Sequence, residues 1–179
     1  MLSVPVQGLD FAGHAAEHGG VVADDVSVDA AGEDFVVGVR SEVAILDTGA
    51  LVAYLVRSDR HHLWSVATFK KLPAALITCE AVVSETFHLL RREEGGLRAL
   101  SAMLMRGGIS VVSLAKDLEL VLTLAEKYRN VPMSYADACI VRIAETHPKT
   151  VVITTDSDFL SYRMNRNVRI PVELPNGKK

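Results

Sequence analysis

Apolar positions along the chain fall into two alternating patterns from Ser41 onward. Short unbroken runs at Val43–Leu46, Ala74–Thr78, Ile109–Leu114 and Val151–Thr154 have the length and composition of strands buried on both faces of a parallel sheet. Between them, apolar residues recur three and four apart, which predicts helices over Ala50–Val56, His62–Lys71, Glu80–Arg92, Leu97–Met105, Leu118–Tyr128 and Tyr135–Glu145. Leu63, Val66, Ala67 and Phe69 form the inward face of the second helix, and Val82, Val83, Phe87 and Leu90 that of the third. Pro73 and Pro148 break helices, Gly95-Gly96 and Gly107-Gly108 punctuate, and Ser134 is a good N-cap. Asp156–Ser161 reads as a short helical turn, and Asn167–Leu174 as a last strand that Pro171 confines to an edge. Strands alternating with helices in this way predict an α/β fold, a three-layer α/β/α sandwich around a mostly parallel central sheet.

Residues 1–40 break the pattern. They are rich in Ala, Gly, Val and Asp, lack periodicity, and read as an N-terminal extension that is disordered or loosely paired, with Phe35-Val36-Val37 able to add an edge strand. The predicted division is therefore an extension at 1–40, a single domain at 41–174 and a polar tail at 175–179. Charge follows the same boundary. Seven of the 22 acids but one of the 19 bases lie in residues 1–40, so the remainder holds 15 acids and 18 bases. That mildly basic body permits contact with a polyanion without requiring it. Cys79 and Cys139 sit in apolar segments without metal-ligand spacing and read as small core residues of a reducing compartment. No apolar run approaches the roughly 18 residues that span a bilayer. No basic segment followed by an apolar one opens the chain, so the expected location is cytoplasmic, away from membranes.

Five acids stand where packing does not want them. Asp47 follows the first strand directly, at the carboxyl end, where parallel sheets bind ligands; it is equally a favoured helix N-cap. Asp156 and Asp158 follow the last buried strand in the same way, and a capping role accounts for one of them better than for both. Asp137 lies one turn from Ile140 and Val141, although the first turn of a helix favours a carboxylate there. Glu85 rides the edge of an apolar stripe between Ala81, Val82 and Leu89. Carboxylates gathered in one pocket repel one another and persist around a cation. Oxygen ligands without His or Cys select Mg²⁺ or Mn²⁺, whose natural chemistry with water and phosphate is phosphodiester hydrolysis. No phosphate-binding glycine loop and no serine nucleophile elbow is present. His61 and His62 read as solvated surface and His88 as a partly buried packing residue.

The segments ILDTGALVAYL, ITCEAVVSETFHLL, MSYADACIVRIAE and VVITTDSDFLSYR, in this order and spacing, resemble the PIN-domain nucleases, with the nearest likeness to the VapC-type toxins of toxin–antitoxin pairs. The resemblance runs from residue 43 to about 174. It implies a PIN-like fold and an endoribonuclease dependent on Mg²⁺ or Mn²⁺, with Asp47, Glu85, Asp137 and Asp156 as catalytic metal ligands and Asp158 as a fifth acid. It places Thr48 and Thr154 at hydroxyl positions that hold the carboxylates or the metal's waters. It further implies structured RNA as substrate, a homodimer, and a cognate antitoxin that lays a peptide across the site. The extension at 1–40 departs from the family, whose toxins begin close to the first strand. Two other readings stay open: a housekeeping RNA-processing PIN nuclease, and a non-catalytic PIN-like module that binds RNA or protein. A receiver-like phosphoacceptor domain ranks last, because one acid, not a pair, follows the first strand and no lysine stands beside the last ones.

Overall fold

The computed structural model describes residues 41–72, 75–131 and 133–175. The extension at 1–40, the break at Pro73 and most of the tail lie outside the described residues. Four of the apolar runs become parallel strands: β1 (Val43–Leu46), β2 (Ala75–Cys79), β3 (Ser110–Val112) and β4 (Thr150–Ile153). With β7 (Val172–Glu173) they form a five-stranded sheet in the order β3-β2-β1-β4-β7, with every pair parallel. Val43–Leu46 thus lies between two strands and is buried apart from Val43, as an uninterrupted apolar run requires.

The chain leaves β1 through α1 (Thr48–Leu55) and α2 (His62–Phe69) to reach β2. It then passes through α3 (Glu80–Leu89) and α4 (Glu94–Met105) to β3. It returns through α5 (Leu118–Lys127) and α6 (Tyr135–Thr146) to β4, on the other side of β1. Right-handed crossovers running outward and then back place the two helix groups on opposite faces. Accordingly α1 packs with α2, α3 and α4, and α6 packs with α5 and lies along β1, β2 and β4, while α3 also touches α6. The reversal of direction at β1 makes the crevice between β1 and β4 the switch point of the sheet, the place where open parallel sheets bind ligands.

Several elements differ from the sequence pattern. In α2, Leu63 points to solvent (84% exposed) and Ala67 is exposed, while Ser65 and Thr68 are buried. The Ser65 hydroxyl donates to the Ala50 carbonyl at 2.9 Å, so a polar group sits inside at little cost against α1, and Trp64 and Phe69 supply the apolar contact. In α3, Val82 and the following Leu90 are buried, but Phe87 is 37% exposed. The helix stops at Leu89, where Leu90–Arg92 tightens into a 3₁₀ turn. Gly95 and Gly96 lie inside the first turn of α4 instead of breaking it. A side chain at Gly96 would come within 3.1 Å of Leu90 Cδ2, so the glycine allows α4 to close on that turn. The last predicted strand divides. Val168–Arg169 (β6) pairs antiparallel with Arg163–Met164 (β5), and only Val172–Glu173, after Pro171, joins the sheet, at its edge. The turn between β5 and β6 places Asn165 and Arg166 at φ of 45° and 72°, which folds Val168–Arg169 back onto Arg163–Met164.

Candidate active site

The site begins where β1 ends. The Asp47 N–H donates to the Ile153 carbonyl of β4 at 3.1 Å, so its side chain emerges at the switch point. Its Oδ1 accepts from the Thr48 N–H at 2.6 Å, capping α1, which therefore starts at Thr48 and not at Ala50. Its Oδ2 accepts from the Thr154 hydroxyl, also at 2.6 Å. The cap and the strand-end acid of the sequence reading are thus one residue with two tasks. Asp47 is only 6% exposed. Burial pushes its carboxyl up to about 6 against the pull of both hydrogen bonds, and the negative charges of Asp137 and Glu85 act in the same direction as burial. Gly49 completes this corner, because a Cβ there would collide with Thr155 Oγ1.

The two threonines extend the corner to neighbouring elements. Thr48 donates its hydroxyl to Glu85 Oε2 at 2.8 Å, joining α1 to α3, and Glu85 is otherwise exposed. Thr154, fully buried, gives its proton to Asp47 and accepts the Asp156 N–H at 2.9 Å. Asp156 in turn accepts the Asp158 N–H at 2.9 Å and caps the 3₁₀ turn Ser157–Leu160. The capping member of the Asp156–Asp158 pair is therefore Asp156, and Asp158 is half-buried beside it. Asp137 closes a capping box at the start of α6: Ser134 N–H donates to its Oδ2 at 2.8 Å, and its own N–H donates to Ser134 Oγ at 3.0 Å. It is 9% exposed, and burial, with the charges of Asp156 and Glu85, raises its pKa.

All five acids thus lie at one end of the sheet, and none of them takes part in an ion pair among the described residues. Their linkage is specific. Asp47, Thr48 and Glu85 form one hydrogen-bonded chain, Asp47, Thr154 and Asp156 another, and Asp137 stands apart on its capping box. Among the described residues no group of three or more His, Cys, Asp or Glu side chains is close enough to hold a metal ion directly. One residue that the sequence reading missed belongs here. Tyr162 is fully buried, and its hydroxyl makes no hydrogen bond of good geometry, with the Asp137 carboxylate as its nearest acceptor neighbour. Burial raises its pKa, as do the charges of Asp137, Asp158 and Asp156. Nothing in the segment FLSYR signals this position, because Tyr162 reads there as one more packing aromatic. An all-oxygen donor set, uncompensated negative charge and a buried hydroxyl without a well-formed hydrogen bond fit a hydrated hard dication better than a bare one. The three histidines singled out in the sequence stand elsewhere: His62 Nδ1 bonds the Ala53 carbonyl at 2.8 Å, His61 lies edge-on to Trp64, and His88 is exposed on α3 rather than partly buried.

Comparison with known proteins bears on this geometry. The family model described as the PIN domain matches residues 44–164. No curated protein matches the chain. Among solved structures, the chain is similar to VapC20 of Mycobacterium tuberculosis, a toxin that cleaves the sarcin–ricin loop. The likeness has a TM-score of 0.61 at 21% identity and covers 66% of this chain and 93% of that one.

Proposed function

Since the chain belongs to the PIN domain family, we propose that it is a divalent-metal-dependent endoribonuclease and the toxin of a toxin–antitoxin pair. The observation that carries this reading is the placement of Asp47 and Asp156 at the carboxyl ends of the adjacent strands β1 and β4, bridged by Thr154. Asp47, Glu85, Asp137 and Asp156 are the residues that would hold Mg²⁺ or Mn²⁺, with Asp158 beside them. The bound ion would supply a water that gives up a proton readily enough to attack phosphorus as hydroxide, and charge to stabilise the leaving oxygen.

The chain's own residues prepare that site. Thr154 and the Thr48 N–H fix both oxygens of Asp47, so little orientational freedom is lost when a ligand arrives. Thr48 does the same for Glu85 through Oε2. The capping box leaves Asp137 Oδ1 free while holding Oδ2. The Tyr162 O–H, buried close to the Asp137 carboxylate, is available to donate to it or to a water that it holds. With no lysine or arginine paired to them, these carboxylates repel a phosphate backbone until their charge is neutralised, which makes substrate binding depend on the metal. On this reading the nuclease unit is residues 41–174, with 1–40 an acidic extension and 175–179 a tail. RNA is the substrate, an antitoxin the partner and a homodimer the working form. No helix among the described residues is long and apolar enough to cross a membrane.

The test is cleavage of a structured RNA by the purified full chain in Mg²⁺ or Mn²⁺ and in EDTA, with Asp47→Asn and Asp137→Asn alongside. A sarcin–ricin hairpin is the first substrate to try, after the VapC20 likeness. Cutting that needs metal and disappears in both variants supports the proposal. Cutting that survives both substitutions refutes it. The separation of the acids favours one second reading, a PIN-like module that binds RNA without cutting it. Absence of cleavage together with absence of metal binding by calorimetry selects that module.

A further inference from the structure

Cys79 and Cys139 are the only cysteines of the chain, and the acid site uses neither. Cys79 ends β2 and stands at the N-cap of α3, with extended backbone angles (φ −125°, ψ 168°). Cys139 lies on α6, the helix that crosses β2. Both are free thiols, 1% and 2% exposed. Buried thiols are common as inert packing groups, but these two share a cavity of about 240 Å³. Its lining includes the exposed residues Glu80, Ser113, Ala115 and Tyr135 together with both cysteines. A small molecule in the slot therefore lies against both cysteines.

We propose that Cys79 and Cys139 form a reversible intramolecular disulfide when a hydroperoxide enters this slot. Cys79 is the attacking thiol, since it sits where the N–H groups of Ala81 and Val82 open α3 and stabilise a thiolate. Its thiol is held below the ordinary range, first by the neighbouring Cys139 S–H and then by these N–H groups, against the opposing effect of burial and of Glu80. The Cys79 thiolate attacks the terminal oxygen of the hydroperoxide and breaks the O–O bond, giving a sulfenic acid and releasing water from hydrogen peroxide or an alcohol from an organic peroxide. The Cys139 sulfur then displaces the sulfenic oxygen as water. Two thiols lose two protons and two electrons in all, and the peroxide gains them. The bond would join the β2–α3 junction to α6, six residues before Glu85 and two after Asp137. Oxidation would thereby fix two acid-bearing helices relative to one another, whatever reaction those acids perform.

The experiment treats the folded full chain with hydrogen peroxide, alkylates it under denaturing conditions, and reads intact mass and peptide maps. The expected result is simultaneous loss of both alkylatable thiols within one monomer, the two peptides linked to each other, and complete recovery with dithiothreitol. In Cys139→Ser, Cys79 should instead be trapped by dimedone as the sulfenic acid. Full alkylation of both thiols after peroxide overturns the proposal, as do links only between separate chains. None of these readouts requires nuclease activity, and the wild-type measurement stands even if the variant fails to fold.

Discussion

Asp47 receives two hydrogen bonds of 2.6 Å and still holds its proton to about pH 6. Its folded pKa lies above the unfolded value of 3.8, so between these values the folded chain binds more protons than the unfolded one. Stability in EDTA should accordingly fall as pH rises from about 4 through 6, reaching a loss of about 1–3 kcal/mol from this group. Asp47→Asn should flatten that fall and raise metal-free stability at pH 7 while abolishing cleavage. Urea denaturation across that pH range in EDTA measures the first effect. Wild-type cleavage should climb over the same window, because proton and metal compete for the same oxygens. The glycine beside this aspartate tests the corner sterically. Gly49→Ala should reduce activity more than stability by pushing Thr155, and with it the backbone leading to Asp156. Adding Thr155→Ala removes the colliding oxygen. The double variant should then recover activity lost in Gly49→Ala, and purely additive losses would contradict the steric account.

At the scale of the element, the start of α6 is the part most open to test. Ser134→Ala removes the acceptor for the Asp137 N–H and should cost about 1 kcal/mol. It also leaves Asp137 less firmly oriented, so kcat should drop beyond what the melting temperature explains. Ser134 was readable from sequence as a cap because capping chemistry is local. So were β1, whose apolar run stops abruptly at Asp47, and β4, whose run ends in two threonines and then Asp156. The phase of α2 was not readable. Ser65 and Thr68 are buried there because one can bond a carbonyl of α1 and both are small, while Leu63 is left outside. Hydropathy counts carry no information about such partners. Gly96 misled for a related reason: its neighbour Leu90 is a tertiary contact, and in sequence it looked like a break. The five acids stood out as candidates because each departs from its local apolar pattern. Tyr162 offends nothing in the sequence, and its lack of a well-formed hydrogen bond exists only in three dimensions.

For the whole molecule, the concentration of unpaired acids at one end of the sheet predicts a linkage between metal and stability. A metal that binds the folded chain alone stabilises it by about 2.7 kcal/mol at a hundred times its Kd. Thermal melts should therefore rise with Mn²⁺ or Mg²⁺, return to baseline with EDTA, and show little response in Asp47→Asn. The rise should be larger at pH 7.5 than at pH 5.5, since protonated Asp47 is a poorer ligand. Equal shifts in wild type and variant would place the bound metal elsewhere. The sheet order has a further consequence, in time rather than in space. Thr154 reaches Asp47 across 107 residues of chain. During synthesis β1 and β2 can meet early, but β4 must still be made and inserted beside β1, and β7 beside β4. A growing chain thus carries an unfinished crevice until β4 and β7 have left the ribosome. On the proposed function, the newborn nuclease stays harmless to the RNA-rich machine that makes it until that point.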